Sequence, residues 1–113
     1  MSESAHGVGP ETAVAPAGWQ ERLVRVEIPP RVGQEVGSVA LCLEAHDLVL
    51  AKCAAGRDRD WNFARDALAY GLVEAEELFR RIPDLPEHAD EKHIRKMLEG
   101  IARAGREASG RGA

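Results

Sequence analysis

Cysteine, aromatic residues and an excess of either charge are all scarce in this chain, and each shortage excludes a class of protein. The two cysteines, Cys42 and Cys53, sit in apolar segments without Cys-x-x-Cys spacing. That excludes a disulfide framework or a thiolate zinc site, and both are read as buried, reduced thiols of a cytoplasmic protein. A formal net charge of −4, from 15 Lys+Arg against 19 Asp+Glu, offers no positive field for bulk nucleic-acid binding. Trp19, Trp61, Phe63, Tyr70 and Phe79 are too scattered for a base-stacking platform and are read as core or lid residues. No apolar run approaches the roughly 20 residues of a membrane-spanning helix. The N-terminus MSESAHGVGPETAV has neither the basic region nor the apolar core of a secretory signal. A Gly-rich phosphate loop is absent, and His6, His46, His88 and His93 have no metal-ligand spacing.

What remains is a pattern for one small domain, since 113 residues support a single adequate core. Residues 1–18, rich in Gly, Pro, Ala and Ser, are expected to be a flexible leader. A single α+β domain is expected over 19–104, a small β-hairpin within 22–44 followed by three or four helices over 47–104, with a disordered tail at 105–113. Val24, Val26 and Ile28 alternate with Arg25 and Glu27, Pro29-Pro30 ends the run, and Val39, Leu41 and Leu43 repeat the alternation after Gly33 and Gly37. A two-stranded hairpin is marginal alone, so the helices are expected to cover it.

Asp47 is the expected cap of a first helix ending near Ala55, with Gly56 just past its end. Asp58 is the expected cap of a second, whose stripe is Trp61, Ala64, Ala67 and Leu68 and whose stop is Gly71. The third spans Glu74 to Ile82, with acids early and Arg80 and Arg81 late, as the helix dipole favours. The fourth starts near Asp90 and buries Ile94, Met97, Leu98 and Ile101. It carries Glu91–Arg95 and Glu99–Arg103 pairs on its wet side and is expected to end at Gly105.

Lys52 is the sharpest anomaly, the one cation in the apolar helix LVLAKCAA (Leu48–Ala55). Burying an unpaired charge costs on the order of several kcal/mol. Its stem therefore snorkels or pairs with Asp58 or Asp60, or else it is a phosphate-binding lysine at the edge of a nucleotide pocket. Asp58 and Asp60 have the Asp-x-Asp spacing that holds a metal on a strand. At a helix start, with roughly 100° between successive residues, such carboxylates diverge, so capping and ion pairing are the expected roles. Arg57 and Arg59 could grip phosphate or simply be solvated.

The stretches GVGPETA and PAGWQERLV (within Gly7–Val24), LEAHDLVLAKCAAGRDRDWNFARDAL (Leu43–Leu68) and GLVEAEEL (Gly71–Leu78) carry a resemblance over about Val8–Ala104. They resemble the C-terminal half of bacterial nucleotidyltransferase-like proteins related to the toxin half of abortive-infection toxin–antitoxin pairs. In such proteins two carboxylates after a Gly-Ser turn hold Mg²⁺ and the nucleoside triphosphate. A later helical Asp…Lys…Arg-x-x-Asp motif packs against that site. The resemblance implies that Asp47, Lys52, Arg57 and Asp60 are the matching nucleotide- or phosphate-binding candidates, with Lys52 the nucleotide contact. Gly37-Ser38 is the Gly-Ser pair here and Asp47 follows, but Val49 stands where a second acid is required.

The expectation is a truncated or catalytically incomplete relative with no catalytic residue, no metal site and no cofactor of its own. It would act through self-association or a partner protein, because without a catalytic half Val24, Val26, Leu41 and Leu43 stay uncovered. The rival is a component of an active nucleotidyltransferase completed by another segment or subunit, with Mg²⁺, nucleoside triphosphate and Lys52 at the pocket. A DNA-binding antitoxin is disfavoured by the acidic balance and the lack of a basic recognition helix.

Overall fold

The alternating runs form the two strands of an antiparallel ribbon, β1 (Val24–Ile28) and β2 (Ser38–Cys42), in a computed structural model that describes residues 14–112, with side chains described to Glu107. The register pairs Val24 with Cys42, Arg25 with Leu41, Val26 with Ala40, Glu27 with Val39 and Ile28 with Ser38. Directly paired residues share a face. Val24, Val26 and Ile28 therefore lie with Ala40 and Cys42, whereas Val39 and Leu41 lie across the sheet with Glu27 and Arg25. The two apolar rows are on opposite faces, so the ribbon has no single greasy side to lay on the helices. Every residue of β1 is exposed, with Val26 at 41%, and Leu41 of β2 is 58% exposed. The expected helical cover is thus not what the helices do, and Cys42 is an exposed thiol, not a buried one. Gly37 has a positional reason: a Cβ there would sit 2.2 Å from the Ile28 carbonyl oxygen, so only glycine allows the returning chain this close.

The helices bury one another instead. They are α1 (Ala45–Ala55), α2 (Asp58–Ala69), α3 (Ala75–Arg81) and α4 (Glu91–Gly112), with short 3-10 turns at Trp19–Arg22 and Ile82–Asp84. Val49, Leu50 and Cys53 of α1 meet Trp61, Ala64 and Ala67 of α2, with Leu78, Ile82, Ile94 and Leu98 closing the core. A fully buried leucine such as Leu50 is worth roughly 1.5–3 kcal/mol in transfer alone. Trp61 ties three elements together: its indole N–H donates to the Gly56 carbonyl at 3.2 Å and its ring meets the edge of His93 at 5.8 Å.

Two glycines stop helices as the sequence indicates. Gly56 is left-handed after α1 at φ 70°, and Gly71 is left-handed after α2 at φ 73°. At the second stop the Leu72 N–H reaches the Ala67 carbonyl and the Gly71 N–H the Leu68 carbonyl, which satisfies two open carbonyls at once. No helix among the described residues is long and apolar enough to cross a membrane.

Several expected boundaries move. The flexible leader is expected to run to residue 18. Its first 13 residues lie outside the described ones, but Ala15 and Pro16 are buried and the Ala17 N–H donates to the Asp84 carbonyl at 2.8 Å. Gly105 does not end α4, which continues to Gly112. A glycine inside a helix costs only about 1 kcal/mol against alanine, and a Cβ at Gly105 would meet nothing within 4 Å. The expected disordered tail is therefore helical through Gly112. Tyr70 follows α2 at 80% exposure, so it is not a core residue.

Candidate functional site

The first turn of α1 is a polar knot set into an otherwise apolar helix. Glu44, not Asp47, caps it: the Glu44 carboxylate accepts the His46 N–H at 3.0 Å and the Asp47 N–H at 3.3 Å. The expected cap, Asp47, lies one turn in and is fully buried. It is a bridging anion. Arg22 donates to it through Nε at 2.7 Å and Nη2 at 3.0 Å, and Arg81 donates through Nη1 at 3.0 Å. Arg22 comes from the 3-10 turn before β1, and Arg81 from the last turn of α3. One buried carboxylate thus clamps the N-terminal segment and α3 onto α1. Charge-assisted bonds of this kind are shorter and stronger than neutral ones, and removing one partner leaves the other charge stranded.

The knot extends in both directions. Arg81 also donates to Glu44 at 2.6 Å and to Glu77 at 2.5 Å, and Arg80 pairs with Glu77 as well. Hydrogen bonds from Arg80 and Arg81 bring the Glu77 carboxyl down to about 2. For Glu44 burial pushes the pKa up, but hydrogen bonds from His46, Arg81 and the Asp47 N–H outweigh it and the net shift is downward. Burial opposes the charge on Arg81, yet Glu77, Glu44 and Asp47 together raise its pKa. His46 Nε2 accepts the Glu74 N–H at 2.9 Å, so the ring carries its proton on Nδ1, which faces Glu44 at 2.7 Å. His46 in this tautomer couples the start of α3 to the start of α1.

A second, smaller knot opens α2. Arg57 occupies the cap position where Asp58 was expected, and the Asp60 carboxylate accepts the Arg57 N–H at 3.0 Å and its Nε at 2.8 Å. Asp60 is buried while Asp58 is exposed, so the two carboxylates of the Asp-x-Asp point apart. The Arg57 hydrogen bond lowers the Asp60 pKa against the effect of burial, and the nearby Lys52 charge adds to the lowering. Burial, then the Asp60 charge, pushes the Cys53 thiol up to about 12, which keeps it an inert core thiol.

Lys52 makes neither of the expected ion pairs among the described residues. Its Nζ lies 5.1 Å from the centre of the Phe63 ring, a cation–π contact, at intermediate burial. Asp60, one of its two expected partners, is taken by Arg57. Of the four positions singled out in the sequence, Lys52, Arg57 and Asp60 therefore gather where α1 hands over to α2. Asp47 stands apart, five residues and roughly 7.5 Å of helix rise from Lys52. Arg22, Glu44, His46, Glu77 and Arg81 were not singled out. The available signals were an acid inside the apolar α1 and the run of Glu77, Arg80 and Arg81, which supplies cations to any carboxylate packed against it.

Among the described residues no three His, Cys, Asp or Glu side chains converge as ion ligands. The buried carboxylates present do not fit a divalent ion, because arginine donors already hold their oxygens. No curated protein and no solved structure matches the chain. The family described as nucleotidyltransferase of unknown function (DUF6036) matches residues 5–104, nearly the whole length, and the chain belongs to that family.

Proposed function

We propose that this chain is a catalytically incomplete nucleotidyltransferase relative that acts by association and does not transfer nucleotides on its own. The observation that carries this reading is the commitment of its buried acids: Asp47 to Arg22 and Arg81, and Asp60 to Arg57. Phosphoryl and nucleotidyl transfer need an ion held by converging carboxylates free of such partners. What the described part does offer is surface, a ribbon with apolar residues exposed on both faces beside a self-sufficient helical core. This reading supposes a cytoplasmic setting, with a second copy or a cognate protein covering the ribbon. Light scattering on the purified chain is the test. The reading expects a dimer or larger species at micromolar concentration, and a clean monomer with a cooperative melt counts against it.

A second reading rests on Lys52, a half-buried cation set on an aromatic ring near Arg57, with no described carboxylate in ion-pair contact. In this reading the chain is part of an active nucleotidyltransferase, such as that of a toxin–antitoxin pair, completed by another segment or subunit, and Lys52 contacts the nucleotide. Calorimetric titration with ATP and GTP separates the two. Heat at submillimolar ligand that vanishes in Lys52→Met favours the second, whereas no heat at millimolar ligand and a neutral or slightly stabilised Lys52→Met leave the lysine structural.

A further inference from the structure

Among the described residues nothing pairs with either edge of the ribbon. The sheet holds two strands among the described residues, so β1 and β2 each present one row of unpaired N–H and C=O groups. The β1 edge differs from an ordinary guarded edge in how its charges are placed. Its five residues read Val24-Arg25-Val26-Glu27-Ile28, with opposite charges equidistant from the central valine. A second copy of that strand laid antiparallel about Val26 sets Arg25 against Glu27, Glu27 against Arg25, Val24 against Ile28 and Val26 against itself. We propose that the chain forms a two-fold dimer by pairing the β1 edges of two copies in this register, giving a four-stranded sheet in the order β2-β1-β1-β2. The proposal rests on the association reading above and names its partner as a second copy.

Charge selects the register. A slip of two residues one way opposes Arg25 with its own copy, and the other way opposes Glu27 with its own copy, both like-charge contacts. A slip of one residue moves every side chain to the wrong face and sets valines against charges. The chain also fixes the length of the edge. Pro29 and Pro30 follow β1 and have no N–H to donate, and the 3-10 turn Trp19–Arg22 precedes it. The paired edge is therefore five residues long, with Val26 at its centre. Pairing also doubles the apolar face: Val24, Val26 and Ile28, now 44%, 41% and 43% exposed, gain their own copies beside them. The interface is isologous, as a two-fold requires, and each copy contributes the same strand.

Charge exchange tests this directly, because Arg25 and Glu27 are exposed and have no ion pair among the described residues. Sedimentation equilibrium from micromolar to submillimolar protein reads the dimer constant, and circular dichroism checks the fold of each variant. Arg25→Glu opposes like charges at both symmetry-related positions and should weaken the dimer by about tenfold or more, as should Glu27→Arg. The double variant Arg25→Glu/Glu27→Arg restores both pairs and should recover wild-type affinity. Mixing the two single variants in equal amounts should restore dimers too, since each heterodimer again pairs opposite charges. A wild type that dimerises as tightly as Arg25→Glu places the interface elsewhere and overturns the β1 pairing while leaving association standing. Weakened single variants that neither the double exchange nor mixing rescues also overturn the register. A wild type that stays monomeric throughout overturns the dimer and self-association together.

Discussion

Replacing Asp47 by asparagine keeps the shape of the side chain but removes the one anion that holds Arg22 and Arg81 together. The carboxylate accepts three donors at 2.7, 3.0 and 3.0 Å while fully buried. An amide has one acceptor oxygen and turns its own N–H groups toward a guanidinium, so at least one arginine is left facing a donor. Removing one member of a buried pair typically costs about 3–5 kcal/mol. The lower end applies here, because Arg22 is 31% exposed and keeps the Ala17 carbonyl, while Arg81 keeps Glu44 and Glu77. A loss of about 3 kcal/mol corresponds to a fall in Tm of about 15 °C for a domain of this size. Urea unfolding followed by circular dichroism should show it as a lower midpoint with an unchanged slope. Combined with Arg81→Met the effects should be far from additive, because the second change removes a cation that the first has stranded. A loss below about 1 kcal/mol, or simple additivity, would refute the claim that Asp47 clamps the N-terminal segment and α3 to α1.

The ion pairs of Glu77, Glu44 and Asp60 set the acid limit of the fold. Glu77 at about 2, and Asp60 and Glu44 below their ordinary 3.8 and 4.5, are depressed on folding. Their contribution is therefore complete above about pH 4.5 and is lost as pH falls toward 2. Tm should drop across that interval, and a flat or rising Tm there contradicts the assignment. Gly37→Ala should break the hairpin locally without unfolding the helices, since its Cβ would meet the Ile28 carbonyl oxygen. Amide exchange should speed up in Val24–Ile28 and Ser38–Cys42 and stay slow in α1, α2 and α4.

The α+β order was legible because most elements repeat their own period: alternation at Val24–Ile28, a stripe through Trp61, Ala64 and Ala67, and another through Ile94, Leu98 and Ile101. Gly56 and Gly71 were legible because only their lack of a Cβ makes the left-handed stop inexpensive. The register of the ribbon was not legible. Alternation says which residues share a side of one strand but not which rows face together across two. The Asp47 site was hidden for a different reason. Its partners Arg22 and Arg81 lie 25 and 34 residues away, and each passes as an ordinary polar residue of its own element. Glu44 does not read as a cap in the sequence because it continues the alternating run that ends at Leu43. Lys52 stood out as an anomaly, but its resting place on Phe63 could not be chosen over Asp58 or Asp60 until Arg57 was seen to claim Asp60.

If the acids of this chain are structural, the chain alone does not transfer nucleotides. The most direct test is incubation of the purified protein with labelled nucleoside triphosphates, Mg²⁺ or Mn²⁺, and a mixture of RNA and protein acceptors. No labelled product is expected, because Asp47 and Asp60 are held by arginines and Asp58 points away from Asp60. Labelling that disappears in Asp58→Asn or in a folded Asp60→Asn would contradict it, since those carboxylates would then be holding the reactive ion.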